Sequence, residues 1–328
     1  MLWDEGTEDI VGRKEEIGAF NAMLSQVSAG QNAFLMINGG PGTGKTLLLR
    51  HFRNIAEKAG LLALYVKAEK GEGGGELFGR LYQEMLLHSG QDSKEKIDSA
   101  AKLAAAIGKA GKKSFGTILL IDDIDRTRKA RDVLLALVAI ARAKPGKMGL
   151  GIVVSSTKML DGKEIALLRL RPFNEQETRE LVGKALGKGP PRMGEECLNT
   201  LMADSNGNPR IFKSACWYVY NMLKENEKII SKGHYLARLP AIMSMLEREW
   251  FGRLYQDTPA AERQILAVLA KSEEGMHVSD IAKKLGRKLG PTTALTGRLL
   301  DSGQIIRLER GRYRIFARLY AKYVAQRI

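Results

Sequence analysis

Cysteine, histidine and long apolar runs are scarce in this chain of 328 residues. Its two cysteines, Cys197 and Cys216, form no C-x-x-C pair and no zinc-ligand spacing with the four histidines, so we expect buried thiols in a reducing compartment. No apolar run approaches the roughly 20 residues that span a bilayer, and the acidic N-terminal segment lacks the apolar core of a signal peptide. These absences predict a cytoplasmic protein without disulfides, structural zinc or a membrane partner.

Acidic residues are outnumbered in the sequence: 52 lysines and arginines face 37 aspartates and glutamates, which gives a formal net charge of +15. An excess of this size favours polyanionic partners, with nucleic acid ahead of acidic membrane surfaces. The apolar and charged fractions, 44% and 27%, are typical of globular proteins rather than of disordered chains. At roughly 100–200 residues per domain, the length allows two or three compact units.

Short apolar runs alternate with amphipathic segments in the first half of the chain. The run Ala33–Ile37 is apolar throughout, as expected of a strand buried on both faces of a parallel sheet. Further strands are predicted at 61–66, 117–121 and 151–154, and helices at 47–59, 76–88, 94–110 and 129–142. Such alternation predicts a three-layer α/β domain with right-handed crossovers, and we take its bounds as residues 1–172. The glycine tract 71–75 is interpreted as a flexible connection.

A glycine-rich segment follows the first predicted strand and precedes a predicted helix. It has the pattern G-x-x-x-x-G-K-[ST] of a phosphate-binding loop, and its residues are Gly39, Gly40, Pro41, Gly42, Thr43, Gly44, Lys45 and Thr46. Glycines let the backbone turn successive N–H groups onto phosphates, and the following helix N-terminus also favours anions. Lys45 supplies a charge for the β and γ phosphates, and the Thr46 hydroxyl is a ligand for Mg²⁺. The segment predicts a site for ATP with Mg²⁺.

A second motif is the apolar run Ile118–Ile121, which ends in two aspartates. An apolar strand that ends in a carboxylate matches a Walker B element, so we expect Asp122 to hold Mg²⁺ directly or through water. Asp123 follows where a carboxylate that orients the attacking water is needed. Glutamate is commoner at that position, and capping of the next turn is the alternative role for Asp123.

These elements resemble the origin-recognition-type AAA+ ATPases, which share ancestry with archaeal ATPases and with the signal-transducing NTPases called STAND. The resemblance rests on the segment Ile10–Ile17, the glycine loop and the Leu-Leu-Ile-Asp-Asp run, and it extends over nearly the whole chain. It implies an α/β fold with a three-layer P-loop NTPase core, a helical lid and a C-terminal winged-helix domain. It also implies an ATPase, which we expect to be slow as an isolated subunit.

The resemblance carries further roles onto this chain. Val11 and Gly12 resemble the segment that lines the adenine pocket. Ser155 or Ser156, after the fourth predicted strand, stands where many AAA+ proteins have a polar sensor for the γ phosphate. In the family that this chain resembles, asparagine is more usual at that position.

A second sensor is implied in the lid by the segment Gly-Asn-Pro-Arg that ends with Pro209 and Arg210. Arginine suits a phosphate sensor because it stays charged and makes bidentate contacts. The family also implies an arginine finger supplied in trans, and with it a homo-oligomer. The sequence offers six finger candidates, which are Arg126, Arg128, Arg131, Arg142, Arg169 and Arg171.

The pattern becomes all-helical near Pro172. Asn174 and Glu177 have the spacing of a reciprocal helix cap, and residues 173–257 are predicted to form the lid and a linker helix. The predicted helices are 175–186, 195–203, 209–224 and 241–256. The aromatic residues Trp217, Tyr218 and Tyr220 are interpreted as core residues of this lid rather than as a platform for stacking bases.

Residues 258–328 have the pattern of a winged helix. Three apolar-periodic segments, with a short strand predicted at 277–278 between the first two, are followed by two short strands around a glycine turn, in which arginines alternate with apolar residues. The segment holds fourteen lysines and arginines against six acidic residues, so eight of the fifteen excess charges lie here. The candidate DNA-binding residues are Lys284, Arg287, Lys288, Arg298, Arg307, Arg310, Arg312 and Arg314.

Two functions fit these patterns. In the first, nucleotide state controls the binding of duplex DNA by the winged helix, through phosphate contacts that position without specifying a sequence. In the alternative, a STAND-like signalling switch, the winged helix is structural and the partner is a protein. The Asp-Asp pair and the Gly-Asn-Pro segment favour the alternative, whereas the sequence has no repeat sensor domain or appended effector domain.

Overall fold

A computed structural model describes residues 10–90, 92, 95–110, 115–143, 149–160, 165–187, 189–224 and 226–327. Contacts within the chain divide it into two units. We call residues 5–39 and 44–170 the core unit, and residues 1–4, 40–43 and 171–328 the C-terminal unit. The predicted subdivision at residue 257 stays a prediction, and the acidic N-terminal segment lies outside the described residues.

The core unit is a parallel β-sheet between two layers of helices. Its strands lie in the order β2-β3-β4-β1-β5, and every neighbouring pair is parallel. The strands are β1 (Ala33–Asn38), β2 (Leu62–Lys67), β3 (Thr117–Asp122), β4 (Leu150–Ser156) and β5 (Ala166–Arg169). The helices are α1 (Lys14–Ser28), α2 (Lys45–Lys58), α3 (Gly74–Ser89), α4 (Ala100–Ala110) and α5 (Ala130–Arg142). This arrangement confirms the predicted three-layer α/β fold.

Strand β3 lies between β2 and β4 in the sheet and is buried along its whole length. Leu119 and Ile121 pack into one apolar cluster with α3, α4 and α5, whereas Ile118 and Leu120 pack into another with α1 and α2. Successive side chains of a strand point to opposite faces of the sheet. A strand covered on both faces is therefore apolar throughout, and this is the pattern that the sequence displays.

The strand register brings the functional ends of the strands to one edge of the sheet. Asn38 is paired with Ser156, and Lys67 is paired with Asp122. Because all these strands are parallel, their carboxyl ends meet at the same edge, where open α/β sheets bind ligands. The glycine loop leaves this edge directly after β1.

The glycine tract is more ordered than the sequence indicated. Gly74 and Gly75 belong to the first turn of α3, so the prediction that the connection extends to residue 75 was wrong. A side chain on Gly75 would place its Cβ 2.7 Å from the backbone oxygen of Asp98. Glycine is needed there because the backbone of a neighbouring segment passes too close for a Cβ atom.

The described part of the C-terminal unit shares one hydrophobic core. It includes Leu198 and Leu201 of the predicted lid, Phe251, and Leu266 and Tyr320 beyond residue 257. Its helices are α6 (Glu175–Leu186), α7 (Glu195–Ser205), α8 (Pro209–Asn221), α9 (Lys232–Leu246), α10 (Gly252–Gln256), α11 (Ala260–Leu269), α12 (Val278–Lys284), α13 (Leu289–Asp301) and α14 (Arg318–Ala325). Its strands are β6 (Arg192–Met193), β7 (Ile229–Ile230), β8 (Met276–His277), β9 (Ile305–Glu309) and β10 (Arg312–Ile315).

Two details of this unit differ from the sequence interpretation. Trp217 was expected in the core but is 44% exposed. The buried positions of α8 are Ile211, Phe212, Ala215, Cys216 and Val219, and Trp217 falls between them in the helical period. The strand predicted at 277–278 ends at residue 277, because the backbone turns into α12 at the next residue.

Candidate nucleotide-binding site

The glycine loop has the backbone conformation that its sequence predicts. Gly42 and Gly44 have φ angles of 75° and 97°, in the left-handed region that residues with a Cβ rarely adopt. Gly44 is the N-cap of α2, and Lys45 and Thr46 form the first turn of that helix. The loop therefore leads from the end of β1 into a helix N-terminus, where backbone N–H groups without helical partners favour an anion.

Lys45 is buried inside the loop, with 7% of its surface exposed. Its Nζ donates to the Gly39 backbone oxygen at 2.8 Å and lies 3.5 Å from the Thr157 Oγ1. Burial lowers the pKa of Lys45, and the nearby aspartates, first Asp123, oppose this shift. A lysine held in this way carries a concentrated charge at the position where the β and γ phosphates are expected.

Asp122 brings the two motifs together. Its carboxylate is fully buried, and its Oδ2 accepts a hydrogen bond from the Thr46 hydroxyl at 2.7 Å. Its Oδ1 accepts a hydrogen bond from the Ser155 hydroxyl at 2.6 Å. A hydroxyl and a carboxylate at this separation are oxygen ligands of the kind that Mg²⁺ takes beside phosphates. The residues therefore fit Mg²⁺. Among the described residues, no group of three or more His, Cys, Asp or Glu side chains offers another metal site.

Two residues that sequence reasoning missed also contact Asp122. The Tyr65 hydroxyl donates to Oδ2 at 3.2 Å, and the Lys67 Nζ lies 3.5 Å from the same oxygen. Burial, followed by the charge of Asp122, raises the pKa of Tyr65 to about 12, so the hydroxyl stays a donor. These contacts add to that of Thr46 at Oδ2, and coordination of Mg²⁺ by Asp122, directly or through water, stays a prediction. Only the pairing of β2 with β3 brings Lys67 opposite Asp122, and neither motif contains it.

Asp123 lies in a strained turn beside two cations. Its φ is 54°, and its backbone N–H donates to the Ser155 hydroxyl oxygen at 2.8 Å. Its Oδ2 lies 3.2 Å from the Lys67 Nζ and 3.9 Å from an Arg126 nitrogen. The Asp123 carboxylate thus lies at the site, where it forms ion pairs with Lys67 and Arg126. Its role in orienting water stays a prediction.

The polar residues at the end of β4 have distinct partners. Ser155 is buried, and its hydroxyl joins Asp122 to the backbone of Asp123. The Ser156 hydroxyl donates to the Lys158 backbone oxygen at 2.6 Å. Of these residues, Thr157 presents its hydroxyl to Lys45, as given above. Thr157, directly after β4, is thus a further candidate for a γ-phosphate contact, and the sensor role of Ser155 or Ser156 stays a prediction.

The tip of the loop, residues 40–43, belongs to the C-terminal unit by its contacts. The Asn208 Nδ2 donates to the Pro41 backbone oxygen at 2.9 Å, and the Arg210 backbone N–H donates to the Gly42 oxygen at 3.3 Å. Pro209 is the first residue of α8, and Asn208 is its N-cap. The Gly-Asn-Pro-Arg segment therefore contacts the loop, and the contacts run through Asn208 and the Arg210 backbone.

The Arg210 side chain has other contacts in this structure. Its guanidinium lies 4.8 Å from the centre of the Trp250 ring, and one nitrogen is 3.5 Å from the Glu249 backbone oxygen. Burial lowers the pKa of Arg210, and the charge of Glu249 opposes that shift. Its role as a sensor stays a prediction, as does the adenine pocket at Val11 and Gly12. Those two residues precede α1, and Gly12 has a φ of 64°.

The structure does not select an arginine finger. Arg126 lies near Asp123, and an Arg128 nitrogen is 3.9 Å from the Glu76 carboxylate. Arg131 and Arg169 are exposed. Each candidate is therefore at or near the surface without a feature that sets it apart, and the finger stays a prediction.

The predicted DNA-binding residues fall into two groups. One group has contacts within the C-terminal unit: Arg287 with Gln264, Arg298 with Glu262, Arg307 with the Tyr313 hydroxyl, Arg312 with Glu309, and Arg314 with Asn206. The other group consists of Lys284, Lys288 and Arg310, which are exposed, as is the neighbouring Lys283. These three lysines lie between the last turn of α12 and the N-cap of α13.

Comparison with known proteins agrees with this geometry. Residues 9–150 match the family model described as AAA ATPase domain. A Walker-type ATPase of Pyrococcus abyssi has a similar structure, with 17% identity, a TM-score of 0.73 and full coverage of both chains. No curated protein matches the sequence.

Two further similar structures have lower scores. The Cdc6p protein of Pyrobaculum aerophilum has 14% identity and a TM-score of 0.56, over 99% of this chain and 97% of its own. The ORC1 protein of Aeropyrum pernix, solved in complex with DNA, has 14% identity and a TM-score of 0.52, over 99% of this chain and 95% of its own. At these identities the likeness concerns the fold.

The fold and the glycine loop together are those of a P-loop NTPase. Residues 9–150 match the AAA ATPase model, and the parallel sheet with its glycine loop is a P-loop NTPase fold. The described helices include none that is both long and apolar enough to cross a membrane.

Proposed function

We propose that this protein binds Mg-ATP at residues 39–46 and hydrolyses it. The observation that carries the proposal is the 2.7 Å contact between the Thr46 hydroxyl and the Asp122 carboxylate. It joins a phosphate-binding loop to the carboxylate that a Mg²⁺ ion beside the β and γ phosphates needs. Lys45, inside the same loop, supplies the positive charge for the phosphate tail.

Hydrolysis in this site is an in-line attack of water on the γ phosphate. Mg²⁺, when bound, neutralises charge on the phosphate oxygens. We propose Asp123 as the carboxylate that orients the water, and its contacts with Lys67 and Arg126 compete with that role. We therefore infer slow turnover for an isolated subunit. The rate of hydrolysis per subunit would be higher in an oligomer, in which a neighbouring subunit supplies an arginine finger.

Nucleotide binding is tested by calorimetry of the full chain with Mg-ADP and Mg-ATP. We expect Lys45→Ala to weaken binding strongly, because it removes the buried charge from the phosphate site. A wild-type protein that gives no heat and no thermal shift with either nucleotide would refute the proposal. Phosphate release measured against protein concentration tests the turnover, and a rate per subunit that stays high on dilution would exclude dependence on a finger supplied in trans.

We further propose that residues 258–328 are a winged helix that binds duplex DNA and that nucleotide state controls this binding. Helix α11, the short strand β8, helices α12 and α13 and the hairpin β9–β10 follow the element order of a winged helix. Lys283, Lys284 and Lys288 lead into α13, which is the expected recognition helix. The DNA complex of the similar ORC1 structure supports this choice of partner.

The test of DNA binding uses substitutions. Truncation at residue 257 would remove half of a shared hydrophobic core, so loss of binding by such a fragment would be ambiguous. A variant with Lys283, Lys284 and Lys288 changed to alanine keeps that core because all three side chains are exposed. The matched control changes three exposed lysines of the core unit, which are Lys14, Lys102 and Lys109.

The measurement is fluorescence anisotropy of a labelled duplex against salt, with and without Mg-ATP. Each phosphate contact contributes about 0.9 to the slope of log affinity against log salt. Loss of three contacts should therefore reduce the slope by roughly 2.5 to 3. The control variant should keep the wild-type slope. Equal slopes for both variants would remove the support for DNA binding by this surface.

The STAND-like alternative has a specific observation in its favour. An Arg314 nitrogen donates to the Asn206 Oδ1 at 3.1 Å, and the Lys322 Nζ lies 3.3 Å from the Asp204 Oδ1. These basic residues stabilise the C-terminal unit itself, as expected of a structural winged helix. Weak DNA binding that is equal for wild type and the Lys283/Lys284/Lys288 variant, and insensitive to nucleotide, would favour this alternative.

A further inference from the structure

The side chain of Asn208 connects helix α8 to the tip of the glycine loop. It is almost completely buried, with 4% exposed. Its Oδ1 accepts the backbone N–H groups of Arg210 and Ile211, each at 3.2 Å, and its Nδ2 donates to the Pro41 oxygen at 2.9 Å. Two donors on one side and an acceptor on the other fix the orientation of the amide group.

This contact determines the direction of a loop amide. The Pro41 carbonyl and the Gly42 N–H belong to one planar trans peptide, so they point in opposite directions. The Gly42 carbonyl is held in the same way by the Arg210 backbone N–H, which turns the Thr43 N–H away from α8. Anchoring two successive carbonyls therefore turns two successive N–H groups to the opposite side. Successive N–H groups on one side make an anion-binding concavity.

The loop tip is closely packed, which restricts its conformation. A Cβ on Gly42 would lie 2.7 Å from the Trp250 ring and 2.8 Å from the Asn208 Oδ1. A Cβ on Gly303, in the turn after α13, would lie 2.5 Å from the Pro41 Cδ. The loop tip is thus enclosed by α8, by the segment around Trp250 and by the turn at Gly303. Among these neighbours, Asn208 is the one whose side chain donates a hydrogen bond to a loop carbonyl, that of Pro41, and so fixes its direction.

We propose that Asn208 is a positioning residue of the nucleotide site, which orients the loop amides for the phosphate tail through its bond to the Pro41 carbonyl. The inference rests on the proposed nucleotide binding at residues 39–46 and adds to it a residue outside both motifs. The same side chain caps α8, so the test must separate capping from positioning.

Two substitutions at residue 208 separate these roles. Aspartate and serine are N-caps about as good as asparagine, so N208D and N208S keep the cap of α8. Neither has an amide N–H to donate to the Pro41 oxygen. The matched control is N174D, because Asn174 caps α6 through its Oδ1 at 2.8 Å from the Glu177 backbone nitrogen and is not part of the loop contacts. All three variants should melt within a few degrees of wild type.

Binding is measured as the Kd for Mg-ADP, and the phosphate contribution as the inhibition constant of pyrophosphate against a fluorescent ADP analogue. Loss of one oriented hydrogen bond should weaken Mg-ADP binding about five- to tenfold in both N208D and N208S. The binding of pyrophosphate should weaken by a similar factor, because pyrophosphate contains the phosphate groups of ADP without its nucleoside. If Asn208 had a purely structural role, the substitutions would lower the melting temperature and would not selectively weaken the binding of Mg-ADP and pyrophosphate. N174D should bind as wild type does.

The possible results separate the two proposals. A wild-type protein that binds neither Mg-ADP nor Mg-ATP refutes nucleotide binding and the positioning role together. Wild-type affinity in both N208D and N208S refutes only the positioning role. Weakening in N208D alone, relieved by added salt, identifies charge repulsion by the new carboxylate and also overturns the role of the amide. Weakening in both variants with unchanged melting temperatures supports it.

Discussion

Replacement of Lys67 by methionine tests whether an ammonium group competes with Mg²⁺ at Asp122. The Lys67 Nζ lies 3.5 Å from an Asp122 oxygen and 3.2 Å from an Asp123 oxygen. Methionine keeps most of the unbranched apolar stem and removes the charge. We expect K67M to bind Mg²⁺ more tightly in the presence of nucleotide, because the carboxylate is relieved of a competing cation.

The size of the effect follows from distance and exposure. Two unit charges 3.5 Å apart attract by about 1.2 kcal/mol in water and by about 5 kcal/mol at an effective dielectric constant of 20. The Lys67 side chain is 45% exposed, so solvent screening favours the lower value. About 1 to 1.4 kcal/mol corresponds to a five- to tenfold lower Mg²⁺ concentration at half-saturation.

The assay is a titration of Mg²⁺ at a fixed concentration of a fluorescent ADP analogue. K109M, which changes an exposed lysine of α4, is the control for a general loss of positive charge. A half-saturation point that is unchanged or higher in K67M would refute the competition. A higher value would indicate that Lys67 binds phosphate instead.

Three further predictions concern stability and reactivity. Tyr235→Phe should cost about 1–3 kcal/mol in the free energy of unfolding, measured by urea denaturation, because its hydroxyl donates to the buried Asp204 at 2.7 Å; a loss below about 0.5 kcal/mol would contradict this. Phe52→Ala should cost about 3–5 kcal/mol, because the ring is fully buried and stacks on Phe20 with centroids 4.0 Å apart; an undiminished melting temperature would contradict it. Burial raises the pKa of Cys197 from 9.0 to about 11, so its thiolate fraction near pH 8 is about a hundredfold lower than usual. Iodoacetamide should therefore modify it only when the protein unfolds, and rapid alkylation of the native chain, measured by mass spectrometry, would refute the expectation.

The parts of the site that lie in one continuous segment were predictable from the sequence. The glycine loop has its spacing, its preceding strand and its following helix within residues 33–59. Asp122 ends an apolar run that must be a buried strand. Both predictions use local patterns whose chemistry permits few residue types.

The rest of the site depends on contacts between distant segments. Lys67 reaches Asp122 only because β2 and β3 pair in a particular register. Asn208 and Pro41 are separated by 167 positions, and no periodicity relates them. Thr157 lay outside the predicted fourth strand because polar residues at a strand end do not extend an apolar run.

Fold elements were missed for similar physical reasons. Strand β5 is short and mostly exposed, so it lacks the apolar run that identified the other strands of the sheet. The amphipathic period of α8 identified a helix, but the wide aromatic side chain of Trp217 was assigned to the core although its position is out of phase. Periodicity predicts a buried face more reliably than aromatic character does.

The shared core of the C-terminal unit restricts how this protein can be changed by recombination. Phe251 contacts the rings of Tyr320 and Tyr323, so the segment before residue 257 and the last helix are complementary surfaces. A C-terminal segment from another protein, joined at residue 258, would meet an aromatic surface shaped for α14. Chimaeras at this junction should therefore be insoluble unless Phe251 and its neighbours are exchanged together with the segment.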